Sequence, residues 1–271
     1  MHLDLHLHST CSDGSLAPAA LVSAARQAGL HGIALTDHDT TAGVPAARRA
    51  AVLEGGPMVI AGVELTSSLD GAEVHLLGYG LDPGHASLTA FTVRAAVLRR
   101  ERLAAIIERL QALGVGITPD DVIVEEGCAS VGRPHVARAL QRLGVVPNFQ
   151  EAFNRYLRAG GPAFVPSQGP EVREAIEAVR GAGGVSVWAH PHLEDTVSFA
   201  RLKEAGLEGV EVLRPSVAPA VSIVLEEEAR AHGLVITGGS DWHGGPRPAL
   251  GSWYVTEKHV GAFLERIGMA A

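Results

Sequence analysis

Seven short apolar runs in this chain carry histidine, aspartate or glutamate at or near one end, and that recurrence restricts the fold more than any other feature. The runs are residues 2–8 with His6 and His8, 32–38 with Asp37 and His38, 58–66 with Glu64, 73–79 with His75, 185–192 with His190 and His192, 209–213 with Glu211, and 234–243 with Asp241 and His243. Continuous apolar runs of this length suit strands buried on both faces. Helical stretches alternate with most of them; residues 15–28, for example, carry Pro18 early and Gly29 at the end. An α/β barrel gathers the ends of all its strands on one rim, whereas an open doubly wound sheet binds ligands only where its strand order reverses. The expected fold is therefore α/β, a seven-stranded barrel of βα units.

One segment departs from this rhythm. From about residue 86 to 164 the pattern is helical only, with helices expected over 91–113, 119–126, 134–143 and 149–157, and Gly160-Gly161-Pro162 reads as the return linker. Residues 1–85 and 165–271 are thus the two halves of a discontinuous barrel, and 86–164 an all-α insert covering its active site. Charge separates the same way. Residues 89–164 hold ten Arg, no Lys and seven acidic residues, while the rest of the chain holds twelve basic and twenty-three acidic residues. The total of −8 argues against stable binding to duplex nucleic acid, and the basic insert points to a small anionic ligand held near one module. No apolar run approaches the ~20 residues of a membrane helix, and the first residues lack a basic, apolar leader, so a cytoplasmic protein is expected. With only Cys11 and Cys128, neither a disulfide framework nor a thiolate zinc site is available.

The first strand shows what the polar residues do. A period of two places His6 and His8 on one face, and the turn Ser9-Thr10-Cys11-Ser12-Asp13-Gly14 lets Asp13 fold back toward them. Collected from the whole chain, the candidates are His6, His8, Asp13, His38, Glu64, His75, His190, Asp241 and His243. Buried carboxylates and imidazoles must be paired or ligated, so divalent ions resolve the crowding. Six imidazoles and three carboxylates without a thiolate suit Mn, Fe or Zn better than Ca or Mg, and they exceed the needs of one ion.

These motifs, in order, resemble a known family. His-x-His with Ser-Asp-Gly, then Thr-Asp-His-Asp, Gly-Val-Glu, Val-His-Leu-Leu-Gly-Tyr, Ala-His-Pro and Gly-Ser-Asp-Trp-His are similar to those of the PHP (polymerase and histidinol phosphatase) superfamily. The resemblance implies a distorted seven-stranded barrel with two or three divalent ions (Mn²⁺, Fe²⁺/Fe³⁺ or Zn²⁺). It further implies that His6, His8, Glu64 and Asp241 hold one ion, that Glu64 bridges to a second held by His75 and His190, and that Asp13, His38 and His243 hold a third. The segment Gly132-Arg133-Pro134-His135 resembles the phosphate-gripping part of members acting on nucleoside 3′,5′-bisphosphates and on the 5′ ends of short RNAs. Arg133, His135, Ser9 and Arg214 are accordingly expected to contact substrate; Leu213-Arg214-Pro215 stands where that subgroup carries an aromatic or histidine pair. The implied activity is hydrolysis of a phosphate monoester by a hydroxide bridging two ions, with Glu64 and Asp241 at its centre and His192 protonating the leaving alkoxide.

Several residues are read more plainly. Asp37 and Asp39 orient their surroundings rather than ligate; Glu211 orients a ligand or pairs with Arg; Arg94, Arg99, Arg100 and Arg102 form a solvated helix face; the three tryptophans are core. Two other functions fit the same motifs: a small-metabolite phosphatase of the histidinol-phosphate kind, for which the insert arginines would not matter, and a non-catalytic PHP module, for which the ligand set would be degraded.

Overall fold

Leu3, Leu5 and Leu7 alternate with Asp4, His6 and His8 along the first strand, β1 (His2–Leu7), which lies at the centre of the fold. The computed structural model describes residues 1–125, 127–245 and 248–269. After β1 come α1 (Pro18–Gln27), β2 (Gly32–Leu35), α2 (Val44–Glu54), β3 (Met58–Leu69) and β4 (Ala72–Tyr79). A helical stretch follows: α3 (Ala86–Ala112), α4 (Arg133–Arg142) and α5 (Phe149–Ala152), which runs into a π-helical turn at Phe153–Leu157. The chain then returns through α6 (Val172–Gly181), β5 (Val185–Trp188), α7 (Phe199–Glu204), β6 (Gly209–Leu213), α8 (Pro219–Ala231), β7 (Val235–Gly238), β8 (Val255–Thr256) and α9 (Glu257–Arg266).

The strands form one sheet in the order β7-β6-β5-β4-β3-β2-β1-β8, curled until its ends nearly meet. Closure comes from the segment after β7: Leu7 bridges Trp242 in parallel, His8 N–H donates to the Trp242 carbonyl at 3.1 Å, and Trp242 N–H to that of His6 at 3.4 Å. The other half of β1 pairs with β8, Leu3 opposite Val255. Among the described residues the sheet thus has eight strands rather than seven, the additional one being a two-residue strand too short to show as an apolar run.

β3 and β4 also differ from the expected repeat of βα units. They form a tight antiparallel hairpin with Leu69 opposite Ala72, and the Asp70-Gly71 turn between them has φ of 53° and 81°, the left-handed pair a two-residue hairpin requires. Because β4 runs backwards, His75 reaches the rim from the first half of its strand, opposite Thr66. A barrel-like sheet with reactive residues on one rim is what the structure has; the rule that each stands at a strand's C-terminal end fails at β4.

Two apolar clusters support the sheet, one beneath the flanking helices and one around Leu3, Leu5, Tyr79 and Phe263 against α9. Among the described residues, 86–164 contain no strand and build a separate cluster from Ile106, Leu110, Val136, Leu140 and Leu157. α3 spans both regions: Leu88, Phe91 and Ala95 face the barrel, and Ile106, Ile107 and Leu110 the second cluster. Val93 and Val97 of this helix are exposed despite being apolar, because its buried face turns between the two cores and presents Arg99 and Arg102 inward. Only Pro119–Asp121 of the helix expected at 119–126 forms, as one 3-10 turn closed by the Asp121 carboxylate on Thr118 N–H; residue 126 lies outside the described residues.

The closure is tight enough to test. A Cβ on Gly239 would lie 2.2 Å from Cβ of His6. Gly239→Ala is expected to lower unfolding free energy in urea by about 3 kcal/mol, the upper end of ordinary overpacking costs, and to shift His6.

Candidate metal centre

Glu64 lies on β3, deep in the rim and 1% exposed, and its two oxygens face five imidazoles. Oε2 lies 3.3 Å from His6 Nε2, 3.3 Å from His8 Nε2 and 3.0 Å from His38 Nδ1. Oε1 lies 2.9 Å from both His75 Nδ1 and His190 Nε2. Asp241 Oδ1 approaches His6 Nε2 at 3.3 Å and His8 Nε2 at 3.2 Å, and Asp13 Oδ1 approaches His243 Nε2 at 3.3 Å. All nine ligand candidates are therefore neighbours. Their donor atoms form three tight sets: His6, His8, Glu64 and Asp241; His8, Asp13, His38 and His243; and His38, Glu64 and His75. His8 and His38 are each shared between two sets, and His190 reaches Glu64 and His75 from the edge rather than standing within the third set.

Divalent ions fit this arrangement. His6 Nε2, both ring nitrogens of His8, His38 Nδ1 and Glu64 Oε2 are buried without a hydrogen-bond partner among the described residues. So many unsatisfied groups in one place would be costly unless ligated, and nitrogen and carboxylate donors without thiolate suit first-row ions. Surrounding groups hold the donors in place. His6 Nδ1–H donates to Glu211 Oε1 at 2.9 Å, which turns Nε2 toward Glu64, and Glu211 Oε2 accepts the His190 N–H. Asp37 accepts from Ser9 N–H, Ser9 Oγ and Ser12 Oγ, fixing the turn that carries Asp13. His190 and Asp241 hold left-handed backbone, φ of 35° and 54°, a strain carried within the ligand set itself.

Next to the donors lies a cleft of about 200 Å³, lined in part by Asp13, His38, His75 and His243. Arg99, Arg102, Arg133 and Glu73 line its middle, and Leu103, Ile106, Val131, Pro134 and Phe153 form an apolar wall. Arg99 and Arg102 are thus not a solvated helix face. Arg99 is consumed structurally, donating Nε to Asp39 at 2.5 Å, Nη2 to Thr66 Oγ1 and Nη1 to the Val131 carbonyl. Arg102 pairs with Glu73 at 3.0 Å, and its Nη2 is buried with no hydrogen-bond partner among the described residues. Arg99 and Arg102 are three residues apart and so share a helix face, the one local signal that ties them together.

Three expected substrate contacts are placed otherwise. Ser9 is fully buried and its hydroxyl donates to Asp37 at 2.6 Å, so it supports the turn instead of facing the cleft. His135 is buried too; its Nδ1 accepts the Gly132 N–H at the start of α4, and its Nε2 faces Cys128 at 3.7 Å, away from Arg133. Arg214 does not line the cleft; it is 9% exposed and donates Nη2 to the Pro191 carbonyl. Arg133 does line it, and His192 is exposed beyond His190.

Carboxylates hold His8 and His75 in the charged form, whereas burial pulls His38 toward the neutral one. Burial disfavours the His8 imidazolium, yet the carboxylates of Asp241 and Glu64, 3.2 and 3.3 Å from its Nε2, outweigh it and hold the group up at about 10. At His75 burial is likewise overcome, by Glu64 and Glu73, giving about 9. Both values lie above the unfolded ~6.5, so this stabilisation is complete below about pH 6.5 and is lost as pH rises through 9 to 10. Melting temperatures of metal-free protein should therefore fall between pH 7 and 10. The increase in melting temperature on adding Mn²⁺ or Zn²⁺ should grow over the same interval, because the ion displaces those protons. A flat metal-free profile would contradict the pairing.

A family model for the PHP domain matches residues 4–113. A 5′-3′ exoribonuclease of Haemophilus influenzae is 39% identical over 189 residues, 69% of this chain and 68% of that protein. A 3′,5′-nucleoside bisphosphate phosphatase of Chromobacterium violaceum is 34% identical over 253 residues, 89% of this chain and 87% of that one. Among solved structures, a protein from Bifidobacterium adolescentis assigned as a metal-dependent phosphoesterase superposes with a TM-score of 0.89 at 35% identity, covering 97% of this chain and 96% of its own. The donor set and these similarities agree: the chain belongs to the PHP family.

Proposed function

We propose that this protein is a metal-dependent phosphoesterase that removes a phosphate from nucleoside 3′,5′-bisphosphates or from the 5′ end of short oligoribonucleotides. One observation carries the reading: a single cleft joins a cage of metal donors to a pair of arginines, Arg102 and Arg133. His6, His8, Glu64 and Asp241 would hold one ion, Glu64 with His75 and His190 a second, and Asp13, His38 and His243 a third, of the Mn, Fe or Zn kind. Bound ions supply Lewis-acid polarisation of the phosphoryl oxygens and bring the pKa of water within reach of neutrality.

The chain's own residues do the rest. Arg102 Nη2 and Arg133 grip the second phosphate by charge-assisted hydrogen bonds. The wall of Leu103, Ile106 and Phe153 takes the sugar or base. Glu211 keeps His6 Nε2 directed at the centre, and exposed His192 delivers a proton to the leaving oxygen. Residues 86–164 act as an insert that completes the cleft, with the barrel formed by 1–85 and 165–271. A histidinol-phosphate type of monoester would leave Arg102 and Arg133 with only the Glu73 carboxylate between them, and a non-catalytic module would not need nine intact donors. The relatives that act on RNA or on bisphosphates support the same chemistry, a phosphoester with another phosphate close by.

Phosphate release from a panel of 3′,5′-bisphosphates, 5′-phosphorylated dinucleotides, mononucleotides and histidinol phosphate tests this. Arg102→Ala and Arg133→Ala should each raise KM for bisphosphates by about 10- to 100-fold, as loss of a charged hydrogen bond does, with kcat little changed. Equal KM values for wild type and variants, or release from histidinol phosphate alone, would contradict the substrate assignment. Asp241→Asn should lower bound metal and cut kcat by roughly a thousandfold or more; undiminished turnover after exhaustive chelation would contradict the mechanism.

A further inference from the structure

Glu73 is the second residue of β4, two before His75, and its carboxylate lies among the cations of the cleft. Oε2 meets Arg102 Nη1 at 3.0 Å. Oε1 stands 3.6 Å from Arg133 Nη2 and 3.5 Å from His75 Nε2, within reach of both and bonded to neither. The two arginines are the better anchored partners: both lie over the Phe164 ring, at 5.9 and 5.5 Å, and Arg102 Nε donates to the Val165 carbonyl. Two guanidiniums therefore share one carboxylate, and Arg102 Nη2 remains buried without a partner. A phosphate dianion, with three free oxygens and twice the charge, would satisfy this pair more completely than a carboxylate does.

We propose that Glu73 is an internal counter-ion that occupies the seat of the substrate's second phosphate and so sets how strongly that phosphate is selected. The proposal rests on the assignment of Arg102 and Arg133 made above. An arriving phosphate displaces the carboxylate from the arginines, and Oε1 closes on His75 Nε2–H, leaving His75 Nδ1 directed at Glu64. Glu73 is a positioning and specificity residue: it acts through the arginines and His75 and does not touch the reacting atoms.

The test compares adenosine 3′,5′-bisphosphate with adenosine 5′-monophosphate, by steady-state kinetics of the metal-loaded protein and by calorimetric binding to metal-stripped protein. Glu73→Gln keeps the acceptor for His75 but removes the charge. It should tighten binding of the bisphosphate about tenfold while leaving the monophosphate within about twofold, and the gain should shrink at 1 M NaCl. Glu73→Ala should move the ratio in the same direction, with thermal melting verifying that each variant folds. A bisphosphate-to-monophosphate ratio unchanged or lowered in both variants would overturn the role of Glu73. Equal binding of the two nucleotides by wild-type protein would instead overturn the arginine assignment itself.

Discussion

One buried carboxylate governs this structure. Glu64 is surrounded by His6, His8, His38, His75 and His190, drawn from β1, from the ends of β2 and β5, and from β4, and none of these rings can move far without exposing the others to an unpaired charge. A group so desolvated is tolerated only with its charge matched, by protons on the imidazoles or by cations between them. The sheet supplies the geometry. Its near closure, made where Leu7 meets Trp242, brings the ligands of β1 beside Asp241 and His243 from the far end of the chain.

In the function proposed above, the helical stretch adds selectivity to that centre. Since α3 packs on the barrel at one end and on a separate apolar cluster at the other, its middle turn is free to carry arginines over the rim. Arg99 fastens this turn to Asp39, next to His38, while Arg102 and Arg133 line the cleft beside Glu73. Arg99 with Asp39 is a direct link between the metal cage and the cleft, and Glu73, 3.5 Å from His75, would become a second if a phosphate displaced it from the arginines as proposed.

Much of this was legible in the sequence, for physical reasons that also mark where reading stops. His6 and His8 declare their common face through the period of two, and acidic or imidazole side chains at the ends of apolar runs have few affordable fates other than ligation. Reversal of β4 was signalled by Asp70-Gly71, a hairpin dipeptide between two strand-like runs, but the expectation of repeated βα units obscured it. Tertiary placement was harder. Nothing local distinguishes Arg102, turned inward by the shift between two cores, from Arg100 beside it in solvent. Ser9 and His135 have the chemistry to bind phosphate, yet neighbouring groups claim them first, the Asp37 carboxylate for Ser9 and the Gly132 N–H for His135.

The most direct measurement is anomalous diffraction at the manganese edge from crystals of the full chain grown with Mn²⁺. Peaks between Glu64, His6, His8 and Asp241, and again beside His75 and Asp13, are what convergence of these side chains requires. A map without density there, or with its peaks elsewhere on the protein, would contradict the account.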